Sequence, residues 1–210
     1  RGIFAGQGNG AEGMRCTFFQ GRLKRDGAGN TVFGHHFFNF AQHEIHQRAF
    51  EEAEHFSDRG DDDVFDLRAR QLESCIALSE HLPHVQEVWL DHNQVSFAMG
   101  IPSSVRLLTA SHNVMSELTS FEHLKRLRVL DVCHNEFASL MPFVHLTELR
   151  ELRADHNRIT DLRGLEQCTS LRRLSLAHNG LGGCVDVSGM CWPALESLSL
   201  AHNRIHTIAG

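Results

Sequence analysis

The side chains in this chain that could do chemistry at a fixed spacing are histidines and arginines. A His-Asn pair returns six times, at His92-Asn93, His112-Asn113, His134-Asn135, His156-Asn157, His178-Asn179 and His202-Asn203, at intervals of 20, 22, 22, 22 and 24 residues. Imidazoles titrate near neutral pH and ligate metals, so a periodic histidine column invites a metal site or a pH switch. A zinc site, however, needs ligands converging at about 2.0–2.1 Å, whereas side chains on parallel stacked turns run alongside one another. The column therefore predicts no metal and no cofactor. Its imidazoles read as outward loop residues about 5 Å apart, and their mutual repulsion resists full protonation.

A second column is basic. Arg106, Arg128, Arg150 and Arg172 occupy one frame position in four consecutive repeats, with Lys125, Arg126, Arg153 and Arg173 nearby. A guanidinium offers forked donors to carboxylate or phosphate, so such a ladder suits an acidic or phosphorylated partner segment. The competing reading is a solvated edge balanced by Glu148, Glu151 and Asp155. The candidate protein-binding residues are these four arginines with Arg153, Trp89, Asp131 and Asp155. Trp89 exposes a large apolar ring unless a partner or the Phe-rich amino-terminal segment covers it.

Other chemistry is not supported. His35-His36 and His43-Glu44-Ile45-His46 are too sparse for a metal site, and no phosphate-binding loop, nucleophile elbow or nucleophile-base spacing is present, so the expectation is a non-enzyme. The six cysteines form no CxxC pair, which points to reduced thiols in a cytoplasmic protein. A net charge of -6 argues against nucleic acid as the main partner, and no apolar run is long enough for a membrane helix.

The elements that must carry these columns follow from the apolar frame. Apolar residues stand eight, five and three positions before each Asn and two after it, as in Leu127, Leu130, Val132 and Phe137 around Asn135. Leu130 and Val132 alternate inward along a short strand, while Val129, Asp131 and Cys133 point outward. This frame is that of a leucine-rich repeat: an α/β solenoid of about seven turns, with a parallel sheet on the concave side. Residues such as Leu118, Phe121 and Leu124, or Leu140, Phe143 and Leu146, are expected to close the convex side as helix or 3₁₀ turns. Phe65 to Leu72 supply an atypical first turn with Arg70 in the Asn place. Asn93, Asn113, Asn135, Asn157, Asn179 and Asn203 have amides able to satisfy backbone groups freed at the strand ends, in their own turn and the next.

Two regions are expected. Residues 1–63 form a Gly/Phe/His-rich segment, a cap or partly disordered, and residues 64–210 form the repeat domain, truncated at its carboxyl end. Residues 1–60 hold ten of the seventeen Gly and nine of the fourteen Phe, with no repeat. Gly-rich runs at 6–10 and 26–30 read as loops, and Ala41 to Phe56 carries apolar spacing suited to a short amphipathic helix. The chain reads as a fragment of something longer.

Three stretches carry a closer likeness: Gly100-Ile-Pro-Ser-Ser-Val-Arg-Leu-Leu108, Leu149-Arg-Glu-Leu-Arg-Ala-Asp-His-Asn157, and Val185-Asp-Val-Ser-Gly-Met-Cys-Trp-Pro-Ala-Leu195. Together they resemble the repeat domain of the fungal septation-initiation, or mitotic-exit, network scaffolds of the spindle pole body. The resemblance implies a non-enzymatic platform at the spindle pole that gathers regulators of a GTPase module and kinases. Phosphatase regulatory subunits share the repeat class and are the alternative.

Overall fold

The computed structural model describes residues 64–76 and 78–209, and, within residues 1–63, four two-residue strands. The chain separates into two compact units, Arg1–Glu44 and Ile45–Gly210. In the first, β1 (Cys16–Thr17) pairs antiparallel with β4 (Phe38–Asn39), and β2 (Lys24–Arg25) with β3 (Thr31–Val32). The helix expected over 41–56, the Gly-rich loops, the two amino-terminal histidine groups and the Phe-rich cover for Trp89 lie outside the described residues.

In the second unit the outward-inward-outward spacing produces seven very short parallel strands. They are β5 (Val64–Asp66), β6 (Glu87–Trp89), β7 (Leu107–Thr109), β8 (Val129–Asp131), β9 (Glu151–Arg153), β10 (Arg173–Ser175) and β12 (Ser197–Ser199), hydrogen-bonded in that order. Register is strict: Val88 faces Leu108, Leu108 faces Leu130, and Leu130 faces Leu152. These central residues are buried, while their neighbours on either side look out. Each strand is too short to be stable alone; only the shared core of stacked turns gives it a reason to form. Phe121, Phe137 and Phe143 sit in that core with ring centroids 5.2–6.4 Å apart.

The expected helical return side is largely absent. Among the described residues it amounts to one four-residue helix, Leu78–His81, and one 3₁₀ turn, Met141–Phe143. The return is made instead by successive three-residue turns. Leu124 N–H donates to Phe121 O at 2.9 Å and Leu127 N–H to Leu124 O at 3.0 Å, and the same steps recur at Phe143–Leu146–Leu149 and Leu165–Cys168–Leu171. An apolar residue every third position needs only such turns to face inward, and a helix this short gains little from its own nucleus.

Leu118 also departs from expectation. It is 76% exposed, and Thr119 takes the inward place, with its hydroxyl donating to Ser96 O at 2.7 Å. Gly164, at φ +108°, permits the next close passage, because a Cβ there would run into the Leu140 carbonyl. Near the carboxyl end β11 (Gly182–Asp186) and β13 (Arg204–Ala209) form a second parallel pair, which the spacing did not announce.

Candidate functional site

The six asparagines occupy equivalent places at the strand exits, and each reaches back to the preceding turn rather than on to the next. Asn135 Oδ1 accepts from Met115 N–H at 2.9 Å, and its Nδ2 donates to Ala110 O at 2.9 Å and Val132 O at 3.1 Å. Asn113 does the same for Val95 and Leu90, Asn157 for Phe137 and Val132, Asn179 for Ile159 and Ala154, and Asn203 for Leu181 and Leu176. Asn93 serves two donors of the first turn, Arg70 N–H at 3.0 Å and Leu72 N–H at 2.9 Å. That turn has Arg70 at the asparagine place.

The histidines before them share one backbone conformation. All six have φ between 53° and 60°. Left-handed backbone disfavours most side chains, and His is among the few non-glycine residues enriched there. The repeated conformation aligns the exposed rings into a continuous stack, with successive centroids 4.1–4.3 Å apart and planes within 9–12° of parallel. The outward loop histidines therefore form a stack. Protonation of His134 is held down first by desolvation and then by the neighbouring His112 and His156 charges, with Asp131 and Asp155 opposing. Among the described residues no three His, Cys, Asp or Glu side chains are placed to hold a metal.

On the open sheet face, strand register places Trp89, Thr109, Asp131, Arg153, Ser175 and Ser199 in one row. Trp89 is half-buried, and the Arg68 guanidinium lies 4.6 Å from its ring centroid. Arg68 is itself held by Asp66 at 2.7 Å, whose carboxyl that hydrogen bond lowers below its usual range. The Asp66-Leu-Arg68 spacing puts both side chains on one strand face, a signal available in the sequence and overlooked.

Glu151 is gripped by Arg153 at 2.9 Å and Arg173 at 3.3 Å. Two aspartates are tied into the scaffold: Asp91 accepts from Thr109 Oγ1, Ser111 Oγ and Ser111 N–H, and Asp155 from Ser175 Oγ and Ala177 N–H. Cys133 lies beside Asp131 and Asp155, and burial followed by the Asp131 charge raises its thiol far above the reactive range. Burial likewise pushes Cys75 up to about 12 and Cys168 to about 11. Cys75, Cys133, Cys168, Cys184 and Cys191 are free thiols.

The arginine column forms the edge of the sheet where the strands begin. Its backbone is a ladder of its own, Arg128 N–H to Arg106 O, Arg150 N–H to Arg128 O and Arg172 N–H to Arg150 O, each 2.8 Å. Arg128 approaches Glu148 at 3.6 Å and Arg172 approaches Glu196 at 3.5 Å, both in solvent. Arg106 and Arg150 are exposed and make no ion pair among the described residues. Both readings of the column thus have members: two arginines are balanced, two are not.

A family model for leucine-rich repeats (two copies) matches residues 147–187. Two solved structures superpose on two thirds of the chain: the toll-like receptor TLR13 from its complex with ssRNA13, at TM-score 0.60, 24% identity and 69% of this chain against 22% of that one, and an internalin of Listeria monocytogenes, at 0.52, 20%, 65% and 47%. The fold is a leucine-rich repeat solenoid. At identities this low the solved structures speak for the fold alone. A curated relative, the septation initiation network scaffold protein cdc11 of Schizosaccharomyces pombe, is 40% identical over 63 residues. That match covers 30% of this chain and 6% of the relative's length.

Proposed function

We propose that the leucine-rich repeat unit is a non-enzymatic protein-binding scaffold whose arginine edge and neighbouring sheet row take an acidic or phosphorylated segment of a partner. The observation that carries this reading is the one-per-turn arginine ladder, in which Arg106 and Arg150 make no ion pair among the described residues. Four turns at a strand spacing of about 4.8 Å set these donors along an edge of about 14 Å, enough for several carboxylates or a phosphate to be held by forked hydrogen bonds. Arg153, Asp131 and Trp89 in the adjacent row would supply orientation, while Asp155 holds the scaffold that presents them.

The likeness to a septation scaffold supports a place in mitotic-exit signalling, with a GTPase-module regulator or a kinase as partner and the spindle pole body as location. The test is affinity capture from mitotic fungal extract with the wild-type chain and with Arg128→Glu/Arg150→Glu. Recovery of spindle-pole and GTPase-regulator proteins that the double variant loses, with its melting temperature retained, is the expected result. Recovery of a phosphatase catalytic subunit without those proteins would replace the scaffold reading with a regulatory-subunit one.

A further inference from the structure

The return flank of the first four turns carries a stripe of apolar side chains that the core does not use. Ile76, Phe97, Met99, Leu118 and Met141 are all exposed, Met99 and Leu118 by 66% and 76%. They belong to successive turns in contact. Gly100 sits directly against Cys75 and Ile76, so Met99 follows Ile76; the Thr119 hydroxyl bonds Ser96 O, so Leu118 follows Phe97; Met141 is the exposed apolar residue of the next return segment, beside the buried Leu140. In the fifth turn the equivalent places hold Asp161 and Arg163, ion-paired at 2.7 Å, and the stripe ends there.

The charge around the stripe has one sign. Residues 71–124 contain a single arginine, Arg106, and no lysine, against Glu73, Glu80, Glu87, Asp91, Glu117 and Glu122. Arg106 belongs to the strand-side column, and Asp91 is engaged within the sheet. Glu73, Glu117 and Glu122 are exposed and make no ion pair among the described residues. Residues 125–173 hold nine Lys and Arg against seven Asp and Glu, so the acidic field belongs to the first three turns, which carry four of the five stripe residues, Ile76, Phe97, Met99 and Leu118.

We propose that this stripe is a docking surface for a basic amphipathic helix of a partner protein. Among the described residues the flank offers no strand edge, so an extended segment would leave its own backbone groups unpaired, whereas a helix satisfies them internally. Four turns span about 14 Å, the length of about ten helical residues, which matches apolar anchors at i, i+3 or i+4, and i+7. Two of the five exposed apolar residues are methionines, whose unbranched side chains adapt to a partner's surface. Lysines and arginines flanking those anchors would meet Glu73, Glu117 and Glu122. This surface is separate from the arginine edge and of opposite charge.

The probe is a fluorescein-labelled peptide of about 18 residues with leucine on one helical face and lysine on the other, followed by anisotropy against the full chain at about 150 mM salt. Saturable binding is expected. Met99→Gln/Leu118→Gln should weaken it about tenfold or more, and Glu73→Gln/Glu117→Gln/Glu122→Gln should weaken it several-fold and flatten its salt dependence. Arg106→Gln/Arg150→Gln should leave it unchanged. The substituted residues are exposed, so unchanged melting curves confirm that each variant is folded. No saturable binding, equal binding of the matching leucine/glutamate peptide, or indifference to the Met99/Leu118 change would overturn the proposal.

Discussion

Replacing Asn135 with alanine tests how much of the solenoid rests on its amide column. Four groups touch that side chain, and they do not lose equally. Met115 N–H is buried and has Asn135 Oδ1 as its acceptor, so it is orphaned outright. Ala110 O keeps the donor from Asn113, and Val132 O keeps the donor from Asn157. Cys133 O keeps His112 N–H at 3.0 Å. An unsatisfied buried donor costs about 1–3 kcal/mol, and each of the three carbonyls that loses one of two donors gives up about 0.5–1 kcal/mol, so the sum is about 2.5–6 kcal/mol. Asn203→Ala is the internal reference. Its amide is half exposed, water can replace its bonds, and the loss should be about 1 kcal/mol. Urea titration followed by circular dichroism gives both values, and hydrogen exchange at the Met115 amide reads the local defect. Asn135→Asp sharpens the test, because it keeps the acceptor for Met115 but turns an oxygen toward three carbonyls. That variant should be weaker than wild type at pH 7 and recover as acid protonates the carboxyl. Equal losses at 135 and 203, or a loss at 135 below about 1 kcal/mol, would refute the assignment of these bonds as the main link between turns.

Acidification should loosen the fold. His134 and His178 are held below the ordinary imidazole value of 6.5, by desolvation first and then by the charges of stacked neighbours. A depressed folded-state value means that stability is fully present above the unfolded value and is lost as pH falls through the folded one. The melting temperature should therefore drop between pH 7.5 and 5, and less so in His156→Asn, which interrupts the stack; a flat profile would count against the argument. Gly164→Ala places a Cβ against the Leu140 carbonyl at φ +108° and should cost at least about 1–2 kcal/mol by denaturation. Gly189→Ala, with nothing within 4 Å, should stay within about 0.5 kcal/mol. Arg68→Ala should uncover Trp89, seen as red-shifted emission and stronger acrylamide quenching in a Trp192→Phe background; unchanged emission would mean that something else covers the ring.

The repeat was legible because its signal is redundant: six His-Asn pairs and an inward residue at every strand centre state the same frame repeatedly. The outward row Trp89, Thr109, Asp131, Arg153 followed from strand alternation alone. Other features needed geometry. Whether Leu118 or Thr119 turns inward depends on a local shift in one turn, and a leucine at three-residue spacing from Phe121 outweighs a threonine in any apolar count. The return segments keep the spacing of a helix while being built from separate turns, because inward periodicity constrains side chains and not the hydrogen-bond pattern. The histidine stack was hidden for a different reason: the preference of His for positive φ is too weak for composition alone to announce one shared backbone conformation.

The backward reach of the asparagines gives the solenoid a direction. A turn is not finished by its own residues; Leu72, Val95 and Met115 wait for amides that lie 18 to 21 positions further along. During synthesis from the amino terminus at about 5–20 residues per second, each newly emerged turn remains an open template for about one to four seconds until its successor arrives. Growth is thus a relay in which every arrival certifies its predecessor.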